Sequence, residues 1–105
     1  MRIHFVGIGG IGMSGLAHLC VSEGLVVSGC DPKLSTAARR LRERGVRIAV
    51  GHSADHVHGD LGLVVHSSAV PANHPALAAA RARGLPVIVR GALLARLADR
   101  ARLIG

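Results

Sequence analysis

Close to its start the chain carries Gly7-Ile8-Gly9-Gly10-Ile11-Gly12, a G-x-G-x-x-G run set between a short apolar stretch, Ile3 to Val6, and a helical pattern. Strand, glycines and helix in that order are the context in which such a run means nucleotide binding. Gly7 permits a tight turn out of the strand, Gly9 lets a pyrophosphate approach the backbone, and Gly12 allows the following helix to pack close to the sheet. An anion at this turn would meet open amide hydrogens and the positive end of a helix dipole. Asp31 closes the next apolar run, Leu25 to Val27, roughly 20 residues beyond the loop, where a ribose-binding acid is expected. The competing reading is an ordinary glycine-rich turn. Strand, helix and acid together favour the nucleotide.

Beyond the loop, strand and helix signals alternate to the end of the chain. Ile3-His4-Phe5-Val6 reads as a buried first strand, followed by a helix from about Gly10 to Glu23 that Gly24 closes. Val26-Val27 lies in a second strand, and Thr36 to Arg44 reads as a second helix closed by Gly45. Arg47-Ile48-Ala49-Val50 reads as a third strand, Leu63-Val64-Val65 as a fourth and Val87-Ile88-Val89 as a fifth. Between the last two, Asn73 and Pro75 give a helix start and Gly84 a stop. Leu93, Leu94, Leu97, Ala98 and Ala101 recur at helical spacing, so a last helix runs out near Arg102. Leu103-Ile104-Gly105 then reads as the beginning of another strand. Short continuous apolar strands separated by helices imply a parallel sheet covered on both faces. The expected fold is a Rossmann-like, doubly wound α/β sheet of about five strands, and the 105 residues make one domain, 1–105.

The net charge of +7 raises the question of nucleic acid. Twelve of the thirteen basic residues are Arg, and Ala, Gly and Val are abundant, a bias that a GC-rich coding sequence also produces. Phe5 is the single aromatic residue, which leaves no platform for stacking bases. Arg39, Arg40, Arg42 and Arg44 therefore read as the solvated face of a helix rather than a nucleic-acid patch. No apolar run is long enough to cross a bilayer, and the opening Met-Arg-Ile-His-Phe lacks the layout of a signal peptide. A cytoplasmic protein without a membrane partner is expected. Cys20 and Cys30 have no C-x-x-C spacing and read as reduced structural thiols.

The stretch His4-Phe5-Val6-Gly7-Ile8-Gly9-Gly10-Ile11-Gly12-Met13-Ser14-Gly15-Leu16-Ala17 resembles the amino terminus of the UDP-N-acetylmuramate:L-alanine ligases, which belong to the Mur ligase family of peptidoglycan synthesis. Cys30-Asp31 stands where those ligases usually have Ser-Asp, and Gly51-His52 matches their Gly-His after the third strand. Ser67-Ser68-Ala69-Val70 with Asn73 matches their Ser-Ser-Ala loop, and Arg90-Gly91-Ala92-Leu93-Leu94 their Arg-Ala-Glu-Met-Leu. The resemblance covers essentially the whole chain. Two positions depart from the pattern: Ala92 replaces the Glu, and His66 stands where an apolar residue is common. A sister group that recycles murein tripeptide is similar, but its loop usually lacks the Gly-Ile-Gly-Gly-Ile-Gly form.

The resemblance implies an ATP-dependent ligase whose amino-terminal domain holds the UDP part of UDP-N-acetylmuramate. The ATP-binding and carboxy-terminal domains would complete the enzyme, with ATP and magnesium acting there; no cofactor and no catalytic residue are expected in this domain. The G-x-x-x-x-G-K-[ST] phosphate loop is absent from the sequence. The implied substrate-binding residues are Gly9, Gly10, Ile11 and Gly12 at the diphosphate, Asp31 at a ribose hydroxyl or a neighbouring loop amide, and His52, Ser67, Ser68 and Ala69 around uracil and ribose. Without the resemblance, His52 reads as a surface histidine and the two serines as plain loop chemistry. His52, Asp55, His56, His58 and Asp60 crowd together, but helical geometry beside Gly51 and Gly59 is unsupported and no physiological metal is expected. On physical grounds alone, NAD or FAD in a redox or sensor protein fits the glycine loop and Asp31 equally well.

Overall fold

Each of the five apolar runs read as strands in this chain is a strand of one parallel sheet. The computed structural model describes residues 2–51 and 59–104. The strands are β1 (Arg2–Val6), β2 (Val26–Asp31), β3 (Arg47–Val50), β4 (Leu63–His66) and β5 (Val87–Val89), with helices α1 (Met13–Ser22), α2 (Thr36–Glu43), α3 (Pro75–Ala82) and α4 (Arg90–Ile104). Their order across the sheet is β3-β2-β1-β4-β5, and every pairing is parallel. The strand order reverses at β1, the place where doubly wound sheets open a crevice.

Alternation along β1 divides the core in two. Ile3 and Phe5 face α1, α2 and α4, where they meet Met13, Leu16, Leu41 and Leu93. Val6 faces the other way and, with Cys30 and Val64, packs on Leu77 and Ala80 of α3. Pairing of Val6 with Cys30 on one side and His66 on the other brings the carboxyl ends of β1, β2 and β4 level. That shared edge carries the site.

Three boundaries differ from the sequence reading. Helix α1 starts at Met13 rather than near Gly10, because Gly10 N–H turns back to Gly7 O at 3.0 Å and Gly12 is left-handed at φ 79. β2 runs on through Ser28-Gly29-Cys30 to Asp31. Its small residues hide a strand that parallel pairing on both sides supports, and a β-carbon at Gly29 would run into Ile8. Finally, Leu103 and Ile104 do not begin a strand: α4 continues through Ile104. No turn residue separates them from Arg102, so nothing ends the helix there.

Two of the four arginines read as a solvated face are tied into the fold. Arg42 Nη2 donates to Ile48 O at 2.8 Å, fastening α2 to β3. Arg44 donates to His18 O and Ser22 Oγ, both at 3.2 Å, fastening α2 to α1. Asp60 pairs with Arg2 at 2.8 Å in an exposed contact, which holds its carboxyl below the usual range. Among the described residues no helix is long and apolar enough to cross a membrane.

Candidate functional site

Leaving β1, the chain turns around the carbonyl of Cys30, which accepts from Gly7 N–H at 2.8 Å and Ile8 N–H at 3.1 Å. Gly9 N–H then donates to Asp31 Oδ2 at 2.9 Å, while Asp31 Oδ1 accepts from Lys33 N–H at 3.1 Å. Of the two partners expected for Asp31, the described structure contains the loop amide. A β-carbon at Gly9 would stand 2.7 Å from Ser35 Oγ and 3.1 Å from Asp31 Oδ2. Ser35 is the N-cap of α2, its Oγ accepting from Ala38 N–H at 3.2 Å. Gly9 is therefore small so that the helix cap and the carboxylate can close on it. Its amide, expected at the diphosphate, is already used within the protein, and Gly10's is used by Gly7 O.

The turn opens after Gly10. Among the described residues no protein acceptor takes the N–H of Ile11 or of Gly12. The Ile11 side chain stands fully in solvent at 103% relative exposure. Gly12 caps α1, a helix without an acidic residue in its first turn. The atoms nearest a β-carbon at Gly12 would be those of Arg90, with Nη1 at 3.2 Å and Cζ and Nε at 3.3 Å. Its φ of 79 requires a glycine here, and the missing side chain leaves room for the arginine beside it.

Between the turn and the loop after β4 lies a cleft of about 220 Å³, walled by Gly7, Cys30, Asp31, Gly51, Ala69 and His74. Ser67 Oγ and Val70 lie over Gly7, where a β-carbon would stand 3.5 and 3.3 Å from them. Ser68 is exposed. Gly51 N–H donates to Asp31 O at 2.9 Å, which draws the end of β3 to the same place. His52 follows it, outside the described residues, as do Asp55, His56 and His58 of the His/Asp cluster. Burial pushes the Cys30 thiol up to about 11; a hydrogen bond with the Gly7 backbone opposes this and the Asp31 charge adds to it. At neutral pH Cys30 is a protonated wall residue, not a nucleophile. A larger hollow of about 340 Å³ lies over β1, β2 and β3, with His4 and Ser28, 2.9 Å apart, in its wall. It includes Arg2 and Val26 at the amino ends of their strands, the edge opposite to the glycine turn.

Three residues at this edge escaped the sequence reading as site residues. Ser35 carried a detectable signal, a serine directly before a helical pattern. His74 did not: its Nδ1 accepts from Ala76 N–H at 3.1 Å and caps α3, so that nitrogen bears no proton. Arg90 was visible only as part of a motif, and nothing local places it on Gly12.

A parallel sheet with a glycine turn and a cleft at its switch point defines a Rossmann-like domain. Residues 2–102 match the model of the Mur ligase family, catalytic domain, and the chain belongs to that family. A UDP-N-acetylmuramate:L-alanine ligase of Acidothermus cellulolyticus is 52% identical over 94 residues, which are 90% of this chain and 20% of that protein. The crystal structure of a UDP-N-acetylmuramate-alanine ligase from Thermotoga maritima superposes with a TM-score of 0.90 at 38% identity, covering 95% of this chain and 23% of that one. A murein peptide ligase from Psychrobacter arcticus gives 0.77 at 30% identity, covering 83% and 18%. The chain thus spans about a fifth of the length of the relatives it matches. These matches do not favour the redox-cofactor reading, and the murein peptide ligase is the less similar in both sequence and fold.

Proposed function

We propose that this chain is the domain that holds UDP-N-acetylmuramate in a cytoplasmic UDP-N-acetylmuramate:L-alanine ligase. The observation that carries the reading is the pair of open amides at Ile11 and Gly12, in a turn whose Gly7 walls a cleft with Asp31 and Ala69, in a member of the Mur ligase family. The diphosphate would take those two amides at the positive end of α1. Uracil and ribose would enter the cleft, where Ser67 overlies Gly7 and His52 follows Gly51. Asp31 acts one step back, holding the turn in shape through Gly9.

In this reading the ligase reaction joins the lactyl carboxylate of the substrate to the amine of alanine, with ATP supplying activation. No residue run in this chain has the form of an ATP phosphate loop. Its residues bind and orient the long substrate, and a fixed orientation lowers the entropic barrier of the step carried out elsewhere. The chain alone should release no phosphate from ATP with substrate, alanine and magnesium present.

Calorimetric titration with UDP-N-acetylmuramate, UDP, NADH and FAD tests the assignment. Tighter binding of both uridine ligands is expected. Tighter binding of NADH or FAD would overturn it in favour of a redox or sensor domain.

A further inference from the structure

Arg90 is placed where a cation is electrostatically least welcome. It is the first residue of α4, and its guanidinium lies against Gly12, the N-cap of α1. Gly12 stands at the positive end of α1 and Arg90 begins α4, and neither helix has an acidic residue in its first turn. Among the described residues the guanidinium has no carboxylate or hydrogen-bonding partner. Packing alone brings it in: β5 passes directly into α4, and the missing side chain of Gly12 leaves room for the guanidinium on the backbone. A fixed charge and the positive end of α1 thus stand together at Gly12, whose amide is open. An arginine held in this way has its donors unspent and its repulsion unrelieved until an anion arrives.

We infer that Arg90 is a diphosphate-binding residue, its guanidinium gripping the phosphate oxygens that also take the Ile11 and Gly12 amides. This rests on the reading of the glycine turn as the diphosphate seat. A planar guanidinium offers two parallel N–H donors to one phosphate, which a lysine ammonium does not. Gly12 then has a second duty besides its left-handed angle: a methyl group there would push Arg90 off the anion. The bare turn supplies only partial charges, each roughly half a unit at a helix end, against a ligand of about two negative charges. Arg90 supplies the remainder.

The test compares UDP with uridine on the 105-residue chain, as wild type, Arg90→Met and Arg90→Lys, by calorimetric titration and thermal melting. Arg90→Met should weaken UDP at least about tenfold, the loss of one charge-assisted contact, and leave uridine unchanged. Arg90→Lys should fall between. Without ligand, Arg90→Met should melt at the same temperature or about 3 °C higher, because a cation has left the positive end of α1. A variant that keeps wild-type UDP affinity, loses both ligands equally, or melts well below wild type would overturn the assignment of Arg90. Those outcomes leave the substrate reading standing provided the wild type prefers UDP to uridine. If the wild type binds neither, both fall together.

Discussion

The glycine turn is built in two halves on opposite principles. From Gly7 to Gly10 every amide is spent inside the protein, on Cys30 O, Asp31 Oδ2 and Gly7 O. From Ile11 to Gly12 no described protein acceptor takes an amide, an isoleucine stands in water, and an arginine lies against the backbone. The first half is bracing and the second is a surface prepared for something else. A motif written as one unit thus has its leading amides spent on the fold and its last two left open. Substitutions on the two sides should fail in different ways.

The largest effect is expected for Gly9→Val. Its first added carbon would press on Ser35 Oγ and the Asp31 carboxylate, overpacking that costs about 3 kcal/mol and lowers the melting temperature by roughly 15 °C. UDP and uridine affinity should fall together as the brace gives way, measured by titration below the new midpoint. Melting within a few degrees of wild type would show that the leading half tolerates bulk and is not the brace described. Asp31→Asn comes next. The amide side chain keeps the size but loses the charge that holds Gly9 and Lys33, costing about 2 kcal/mol, read as a lower urea midpoint.

Gly12→Ala reverses the pattern. Left-handed backbone costs an alanine about 1 kcal/mol, a modest shift in melting, yet UDP affinity should fall about tenfold while uridine binding holds. Equal loss of both ligands would erase the distinction between the halves. The last effect concerns pH and vanishes near neutrality. Cys20 and Cys30 both rise from 9.0 to about 11 in the fold, through burial in each case first. The folded state therefore keeps its thiol protons where the unfolded chain releases them, so their contribution is complete below pH 9 and is lost as pH climbs toward 11. Urea midpoints should decline through that window, and replacing both cysteines with alanine should flatten the decline.

Most of the scaffold was legible because it is written in contiguous residues. Ile3 to Val6, Arg47 to Val50 and Val87 to Val89 announce strands by apolar runs, and Pro75 and Gly84 bracket a helix. β2 was seen only in part, since Ser28 and Gly29 look like a turn until neighbours on both sides supply hydrogen bonds. The end of α4 was misread because Leu103-Ile104 is too short to show a period. Asp31 was legible by its distance from the loop, but its contact with the Gly9 amide shows only in three dimensions. Arg90 was out of reach for the same reason. Its contact with Gly12 depends on strand order, which sets α4 beside α1, and on no local pattern.

The two outer strands have a consequence for the behaviour of many copies together. Among the described residues β3 forms one margin of the sheet with four residues and β5 the other with only three. Val50 and Val89 are exposed there, a small invitation to intermolecular β pairing. Arg47 opens the first margin and Arg90 follows the second directly. Two molecules meeting margin to margin would gain a handful of backbone bonds while bringing arginines face to face. Charge and brevity together keep the sheet from growing by self-addition, and the same brevity leaves each margin easy to cover by a neighbouring part of a longer chain.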